Sequence, residues 1–467
     1  MCTQVGNKVG YRIRFDDRTA PHTLITYMTD GILMNHFFYE KTLSSYSVIM
    51  LDEAHERSIN TDVLLGLLKC ILKTRKDLKV IVTSATLNAQ KFSSYFNNAP
   101  ILQVDGRLHP VTTIYSNYNY DTSSYDYVTA AVEKALEIHK HKPTGDILVF
   151  LPGQDEIERA YDQLYAKYDA ELPHSYELQK QGSLVILACY AALSWEEQME
   201  IFRPSGPKER KVIFATNIAE TSLTVNGVVY VVDSGVKKQS EYNPSTGIST
   251  LEVVPISKAE AKQRAGRAGR TQPGIVYRLY TQDRYNFSMM ETPVPEIQRS
   301  PVVDVILQLA VAGITDIENF DFMDPPSRET MQAAMVRLQD LSALDSRRQL
   351  TATGRKMAGF PLDPQLSKVL IASAELGCAK EVLTIVAMLS VSNSNFFARS
   401  KKQRLAADSQ KATFFQTEGD HFMLLHLYDE WLKNRKSASW VSSHYIQQRN
   451  MEEAREIRKQ LQDLMLK

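Results

Sequence analysis

The chain has little of what most readily announces a protein's class. Its 467 residues include four cysteines, Cys2, Cys70, Cys189 and Cys378, widely separated and with no CxxC pair. That excludes a zinc ribbon or disulfide scaffold and fits reduced intracellular thiols. Cys70 falls in a helical apolar stripe and is expected in a core. Neither sign of charge prevails: 54 Lys and Arg balance 54 Asp and Glu, so any basic track for nucleic acid must be local. No apolar run reaches the roughly 18 residues of a membrane span, and no charged-then-apolar leader follows Met1. No membrane association is expected, and the expected compartment is nuclear or cytoplasmic. Glycine is nowhere followed by lysine, so the phosphate-cradling GxxxxGK[ST] loop is absent as well.

What is present is apolar mass and pattern. At 43% hydrophobic the chain can bury several cores, and its length predicts three or four domains. The stretch "YSVIMLDEAHERS" (46–58) runs apolar residues straight into Asp52, Glu53 and His55. Such a run predicts a buried parallel strand that delivers carboxylates to the carboxyl edge of a sheet, where α/β folds bind ligands. Residues 63–72 repeat at helical spacing, and "KVIVTSATL" (79–87) predicts another buried strand, ending in Ser84 and Thr86. Beyond Pro110 the alternation restarts, with helices around 128–139 and from Asp155, and strands at 147–152, 184–190 and 211–216. "VKKQSEYNPSTGISTLEVVPIS" (236–257) predicts a long β-hairpin interrupting this second unit.

From about Pro295 the pattern turns helical, with an apolar face at 302–310 stopped by Gly313 and a helix within 324–344. "RRQLTATGRKMAGFPL" (347–362) reads as a short strand and turn, followed by an αα-hairpin around Gly377 and a closing helix over Ala454, Ile457, Leu461 and Leu464. The charge run Arg399–Lys411 reads as a solvated loop.

"DEAH" and "SAT" (84–86) are each too short to be specific. "QRAGRAGR" (263–270) is stronger, because it places Arg264, Arg267 and Arg270 at i, i+3 and i+6 with Gly266 and Gly269 between. On a helix these arginines lie near one face, and the glycines admit another backbone. Two glycines in four residues cost a helix about 1 kcal/mol each, while guanidinium forks suit phosphoryl oxygens. "ATNIAETSLT" (215–224) follows a strand with hydroxyls and an amide, donors suited to phosphate or ribose.

These motifs, with "TDG" (29–31) and "FLPGQDEIE" (150–158), occur in order along essentially the whole chain. In that order the chain resembles the DEAH-box RNA helicases of superfamily 2, their splicing and ribosome-biogenesis members in particular. The resemblance implies an α/β fold with two RecA-like domains, a winged helix and an α-helical ratchet domain. The implied spans are 1–108 for a partial first RecA-like domain, 109–293 for the second with its hairpin at 237–257, 294–361 for the winged helix and 362–467 for the ratchet.

The family's roles carry over by motif. Asp52 and Glu53 would hold Mg²⁺ with ATP, and Glu53 would also polarise the attacking water. His55 would link the nucleotide site to the second domain, where Gln263 would place the water and Arg267 and Arg270 would neutralise charge on the transferred phosphoryl group. Ser84 and Thr86 would couple hydrolysis to domain movement. Phe202 would stack on the base with little regard to its identity, admitting other NTPs, while Thr224 and Asn226 would lie by the nucleotide. Asn226 departs from the acidic residue often found near the ribose. Single-stranded RNA or an RNA–protein particle would be held through Thr29, Asp30 and Gly31, Gly153 and Gln154, and Thr216, Asn217 and Thr221, by backbone contacts without a sequence code.

The resemblance also implies pieces that the 467 residues lack. The family's phosphate loop lies further upstream of "DEAH" than the 51 residues preceding Asp52. A C-terminal oligonucleotide-binding fold, with its surface for a glycine-rich-motif activator protein, is lacking too. Three readings follow: a fragment of an ATP-dependent 3′–5′ RNA helicase, an ATPase-dead RNA-binding or scaffold protein derived from one, and a DNA-directed helicase, which the DEAH-type motifs and hairpin disfavour.

Overall fold

A computed structural model describes residues 3–466 except 15, 86–87, 105, 107–108, 121–125, 194, 221–224, 315, 392–394 and 398–403. The N-terminal unit holds two small sheets. β1 (Val9–Ile13) lies between antiparallel β2 (Asp16–Arg18) and parallel β3 (Ile25–Met28), which leads into α1 (Asp30–Tyr39). β4 (Val48–Leu51) pairs in parallel, across α2 (Ile59–Thr74), with β5 (Lys79–Val82), followed by α3 (Ala89–Tyr95). Ser58 caps α2 by accepting from the Thr61 amide, and α2 buries Val63, Leu64, Leu67, Leu68 and Ile71 as its periodicity predicts. Two expectations are corrected here. Cys70 is exposed, since it sits in the last turn of α2 where the covered face narrows. β4 and β5 are parallel but not buried on both faces: Leu51 and Ile49 point inward, while Val48 and Met50 are 51% and 57% exposed and Ile81 of β5 is exposed too.

The second unit is a complete sandwich. Its elements are β6 (Val111–Tyr115), α4 (Tyr127–His141), β7 (Asp146–Phe150), α5 (Gln154–Glu171), α6 (Tyr176–Gln181), β8 (Ser183–Cys189), α7 (Trp195–Glu200), β9 (Glu209–Ala215), β10 (Val228–Asp233), β11 (Val236–Asn243), β12 (Ile248–Pro255), α8 (Lys258–Gly266) and β13 (Gly274–Arg278). Six parallel strands run in the order β6-β13-β10-β7-β9-β8. β7 and β10 are buried at every position, as central strands covered on both faces must be. α4 and α5 pack on Val149, Phe214 and Val232, while Ala265, Ala268 and Ile201 cover Leu148, Ile213 and Val231. β11 and β12 form the predicted hairpin, turning at 244–247, where Gly247 takes φ 69°.

α9 (Val303–Val311), α10 (Arg328–Asp340) and α11 (Ala352–Ala358) make the third unit. The expected strand and turn over 347–362 reduces to a single bridge between Leu344 and Leu350, and α11 occupies the rest, capped by Thr351 on the Gly354 amide. α12 (Pro364–Glu375), α13 (Ala379–Leu389), α14 (Arg404–Ala412), α15 (Asp420–Lys433), α16 (Ala438–Ser443) and α17 (Gln448–Met465) enclose a separate core around Trp431, Leu427, Met451, Ile457 and Leu461. Gly377 turns the α12–α13 hairpin at φ 72°. Within the run expected to be a loop, residues 404–412 are helical with Ala407 buried, and 398–403 fall outside the described residues.

The first and third units share one core: Leu64, Leu67 and Leu68 of α2 join Ile306, Leu309, Phe320 and Met335. Gly66 makes the approach possible, since a Cβ there would stand 2.5 Å from the Phe320 ring. Among the described residues, no helix is long and apolar enough to cross a membrane.

Candidate functional site

The acidic loop is shaped by backbone that ordinary residues seldom adopt. Glu53 and Arg57 both take left-handed conformations, φ 51° and 52°, around a 3₁₀ turn over Ala54–Glu56. The turn is tied to the end of β5, with the Ala54 amide donating to the Thr83 carbonyl at 3.0 Å and the Thr83 hydroxyl to Asp52 Oδ1. Asp52 and Glu53 are exposed, while His55 is buried. His55 Nδ1 lies 3.4 Å from Glu53 Oε2 and 3.3 Å from the Ala85 amide, and its Nε2 meets Nε2 of Gln263 from the second unit. Residues 208 positions apart thus join the two units at the motif pair the sequence singled out. Ser84 lies just past β5; Thr86 lies outside the described residues.

The arginine motif is not one helical face. α8 begins with a capping box between Ser257 and Glu260 and stops at Gly266, so Arg267 and Arg270 stand beyond the helix. Gly269 allows close backbone contact, its missing Cβ leaving room for the His109 carbonyl oxygen at 2.7 Å from that position. Arg264 turns the other way, 1% exposed, and donates to Asp233 Oδ1 at 2.8 Å and Glu220 Oε2 at 3.2 Å. Burial would lower the Arg264 pKa, but the two carboxylates override it and raise it. Burial pushes Glu220 up to about 7 against the pull of Arg264. Arg264 is therefore a structural cation. Arg267 donates to the Glu220 carbonyl. Burial and the neighbouring Arg270 lower it to about 10, while Glu220 and Glu53 draw it back up, so the first unit's carboxylate lies within its field. Burial lowers Arg270 as well.

Between the units opens a cleft of about 510 Å³, whose walls include His55, Thr216, Asn217 and Gln263. Thr216 and Asn217 follow β9 at its carboxyl end, as expected; Thr221 and Thr224 lie outside the described residues. The remaining candidates are spread along the units. Thr29 and Asp30 open α1, with Asp30 accepting from the Thr61 hydroxyl, and Gly31 follows in its first turn. Gly153 caps α5 in extended backbone, and Gln154 Nε2 donates to Glu158 at 2.7 Å. Phe202 stands 39% exposed beyond α7, and Asn226 is exposed at the turn before β10.

Sequence reasoning passed over Arg57, Lys91, Asp324 and Glu296, which tie this site to the third unit. Arg57, 7% exposed, donates to Asp62 at 2.6 and 3.0 Å and to Asp324 at 2.6 Å, with Lys91 on Asp324 at 2.7 Å. The Glu296 carboxylate accepts from the Ile59 amide and its own amide donates to the Arg57 carbonyl. The only local signal was a charged "ER" directly after "DEAH"; its partner is 267 residues away.

Similarity to known proteins follows the same layout. Residues 129–272 match the helicase conserved C-terminal domain, 334–362 the winged-helix part of the helicase-associated domain, and 363–424 its ratchet-like part. The chain is 51% identical over 456 residues to the pre-mRNA-splicing factor ATP-dependent RNA helicase prp22 of Schizosaccharomyces pombe, which covers 98% of this chain and 38% of that protein. The chain thus spans well under half the length of this curated relative. The α/β units, winged helix and ratchet, with acidic and arginine motifs meeting across the cleft, define a superfamily 2 helicase architecture. Within it, the chain belongs to the DEAH-box family.

Proposed function

We propose that the chain is a piece of an ATP-dependent RNA helicase that moves 3′ to 5′ along single-stranded RNA and remodels RNA–protein particles in pre-mRNA splicing in the nucleus. The observation that carries this reading is the meeting of His55 with Gln263, with Arg267 in the field of Glu53. The relative's own description as a splicing factor supports the setting.

Asp52 and Glu53 suit Mg²⁺, which commonly takes one or two carboxylates and draws its other ligands from water and substrate phosphates. The ion would supply charge neutralisation on the phosphates. Glu53 orients the attacking water, Gln263 places it, and Arg267 and Arg270 stabilise the transferring group. His55, fixed between Glu53 and Gln263, reports the site's state across the cleft, and Ser84 and Thr86 couple hydrolysis to domain movement. Phe202 offers the base an aromatic face, with Asn226 and Thr224 near the nucleotide. Thr29–Gly31, Gly153, Gln154, Thr216, Asn217 and Thr221 grip the RNA backbone. A glycine-rich-motif activator is a partner of the longer protein.

A second reading, an RNA-binding scaffold without ATPase activity, is favoured by the absence of any Gly-Lys pair. Turnover decides between them. The 467-residue chain alone is expected to show no RNA-stimulated ATP hydrolysis. A longer form carrying an upstream GxxxxGK[ST] loop should hydrolyse ATP, lose activity with Glu53→Gln, and slow by about 10³-fold with Arg267→Ala or Arg270→Ala at unchanged RNA affinity. No turnover in the longer form leaves the scaffold reading, and weakened RNA binding with intact turnover in either arginine variant refutes the arginine roles. The hairpin would keep RNA from slipping: in the longer form, replacing Glu241–Ser249 with a Gly/Ser turn should impair unwinding while ATP hydrolysis persists, compared at one salt concentration. Equal unwinding per ATP would reduce it to a packed surface loop.

A further inference from the structure

A second pocket, about 410 Å³, opens beside α8, where Lys262, Ala265 and Gly266 line it. Its walls include His109, Tyr115, Lys262, Gly266, Arg278 and Tyr285, and among the described residues no carboxylate lines it. Arg278 is the unusual member. It is 4% exposed, its Nη1 donates to the Tyr115 hydroxyl at 2.6 Å and its Nη2 to the Ala261 carbonyl at 3.4 Å, and its Nε is buried with no hydrogen-bond partner. The guanidinium carbon stacks 4.2 Å from the Tyr285 ring centroid and 5.1 Å from that of Tyr115.

The other buried arginines of this unit are compensated differently. Arg264 has two carboxylates, and Arg210 spends its donors on the carbonyls of Ile138, His139, Lys142 and Pro143 at the end of α4. Among the described residues no carboxylate makes a direct ion pair with Arg278, although Asp233 acts on it at longer range. Burial alone would lower the Arg278 pKa, but Tyr280, Asp233, Tyr115 and Tyr285 override it and raise it, so the guanidinium keeps its charge. The retained charge of Arg278, with exposed Lys262 at the rim, gives the pocket a positive field.

We propose that this pocket is a second ligand site, separate from the interdomain cleft, that takes a phosphate monoester bearing an aromatic ring, of the size of a nucleoside monophosphate. The phosphate sits toward Lys262 and Arg278, and the base lies against the Tyr285 ring. The volume falls within the roughly 300–1,000 Å³ range of small-ligand pockets, and base-on-aromatic stacking is tolerant of base identity.

The test is calorimetric titration of the 467-residue chain with AMP, inorganic phosphate and adenosine, each repeated on Lys262→Glu, Tyr285→Ala and Phe202→Ala. Saturable AMP binding is expected, tighter than phosphate and than adenosine, weakened about tenfold or more by Lys262→Glu. Tyr285→Ala should bring AMP down to the affinity of phosphate, and Phe202→Ala should leave it unchanged. Lys262 is exposed, so its variant tests the site without disturbing the core. Absence of saturable binding, adenosine binding as tightly as AMP, AMP no tighter than phosphate, or AMP binding lost in Phe202→Ala but kept in Lys262→Glu would overturn the proposal. Turnover plays no part in these readings, so they stand apart from the helicase assignment.

Discussion

The two RecA-like units solve the same burial problem in different ways. The second surrounds a six-stranded sheet with its own helices, and both faces of the sheet are closed by residues of that unit. The first divides its strands between a three-stranded and a two-stranded sheet and completes its core with side chains of the third unit, across Gly66 and Phe320. Polar ties follow the same seam, with Lys69 on Asp321 at 2.8 Å beside the Arg57–Asp324–Lys91 cluster. The acidic motif therefore sits on a unit whose rigidity is borrowed, and the arginine motif on one whose rigidity is its own.

Four substitutions test that contrast. The largest effect is expected from Arg264→Met, which strands Asp233 and Glu220 in the second unit's interior and should cost about 3–5 kcal/mol in chemical denaturation. A change below 1 kcal/mol would mean the unit does not depend on its buried pair. Next is His139, fully buried with neither ring nitrogen hydrogen-bonded, whose pKa burial and Arg210 lower to about 4. Because the unfolded imidazole protonates near 6.5, the unfolded state binds the extra proton first, so stability falls as pH drops below 6.5 and stops falling below about 4. Between pH 7 and 4.5 this amounts to roughly 2–3 kcal/mol, and His139→Leu should flatten that slope in acid denaturation. An unchanged slope would assign acid sensitivity elsewhere.

Gly66→Leu collides with Phe320 and should cost about 1–3 kcal/mol. Hydrogen exchange should rise together in α2, α9 and α10 while β7 and β10 stay protected; loosening of α2 alone would show that the core is not shared. The smallest effect belongs to Met50→Thr on the uncovered face of β4, expected within about 0.5 kcal/mol of the parent by thermal melting. A larger loss would show that this face is covered in solution.

Much of the candidate site was readable in the chain because it is local. A strand that ends in Asp-Glu, or a hydroxyl-rich turn after β9, places its groups at a sheet edge whatever surrounds it. What misled the reading was periodicity carried past its range. Arg264, Arg267 and Arg270 share a spacing, yet α8 ends at Gly266, and Arg264 turns to Asp233 and Glu220 while Arg267 reaches the Glu220 carbonyl. Residues 404–412 looked like solvated charge, yet Ala407 anchors a helix.

By itself the sequence determined the alternation of strands and helices, the hairpin around its Asn-Pro-Ser-Thr-Gly turn and the order of the motifs, because periodicity, capping and turn chemistry act over a few residues. Only the tertiary structure decided that Gln263 meets His55, that Arg57 is held by Asp324, that the first unit leans on Phe320 and that Arg278 is buried against tyrosine rings. Each of these joins residues far apart along the chain or depends on what surrounds a side chain in three dimensions. Their partners are chosen by how packed units fit together, and no local pattern encodes that fit.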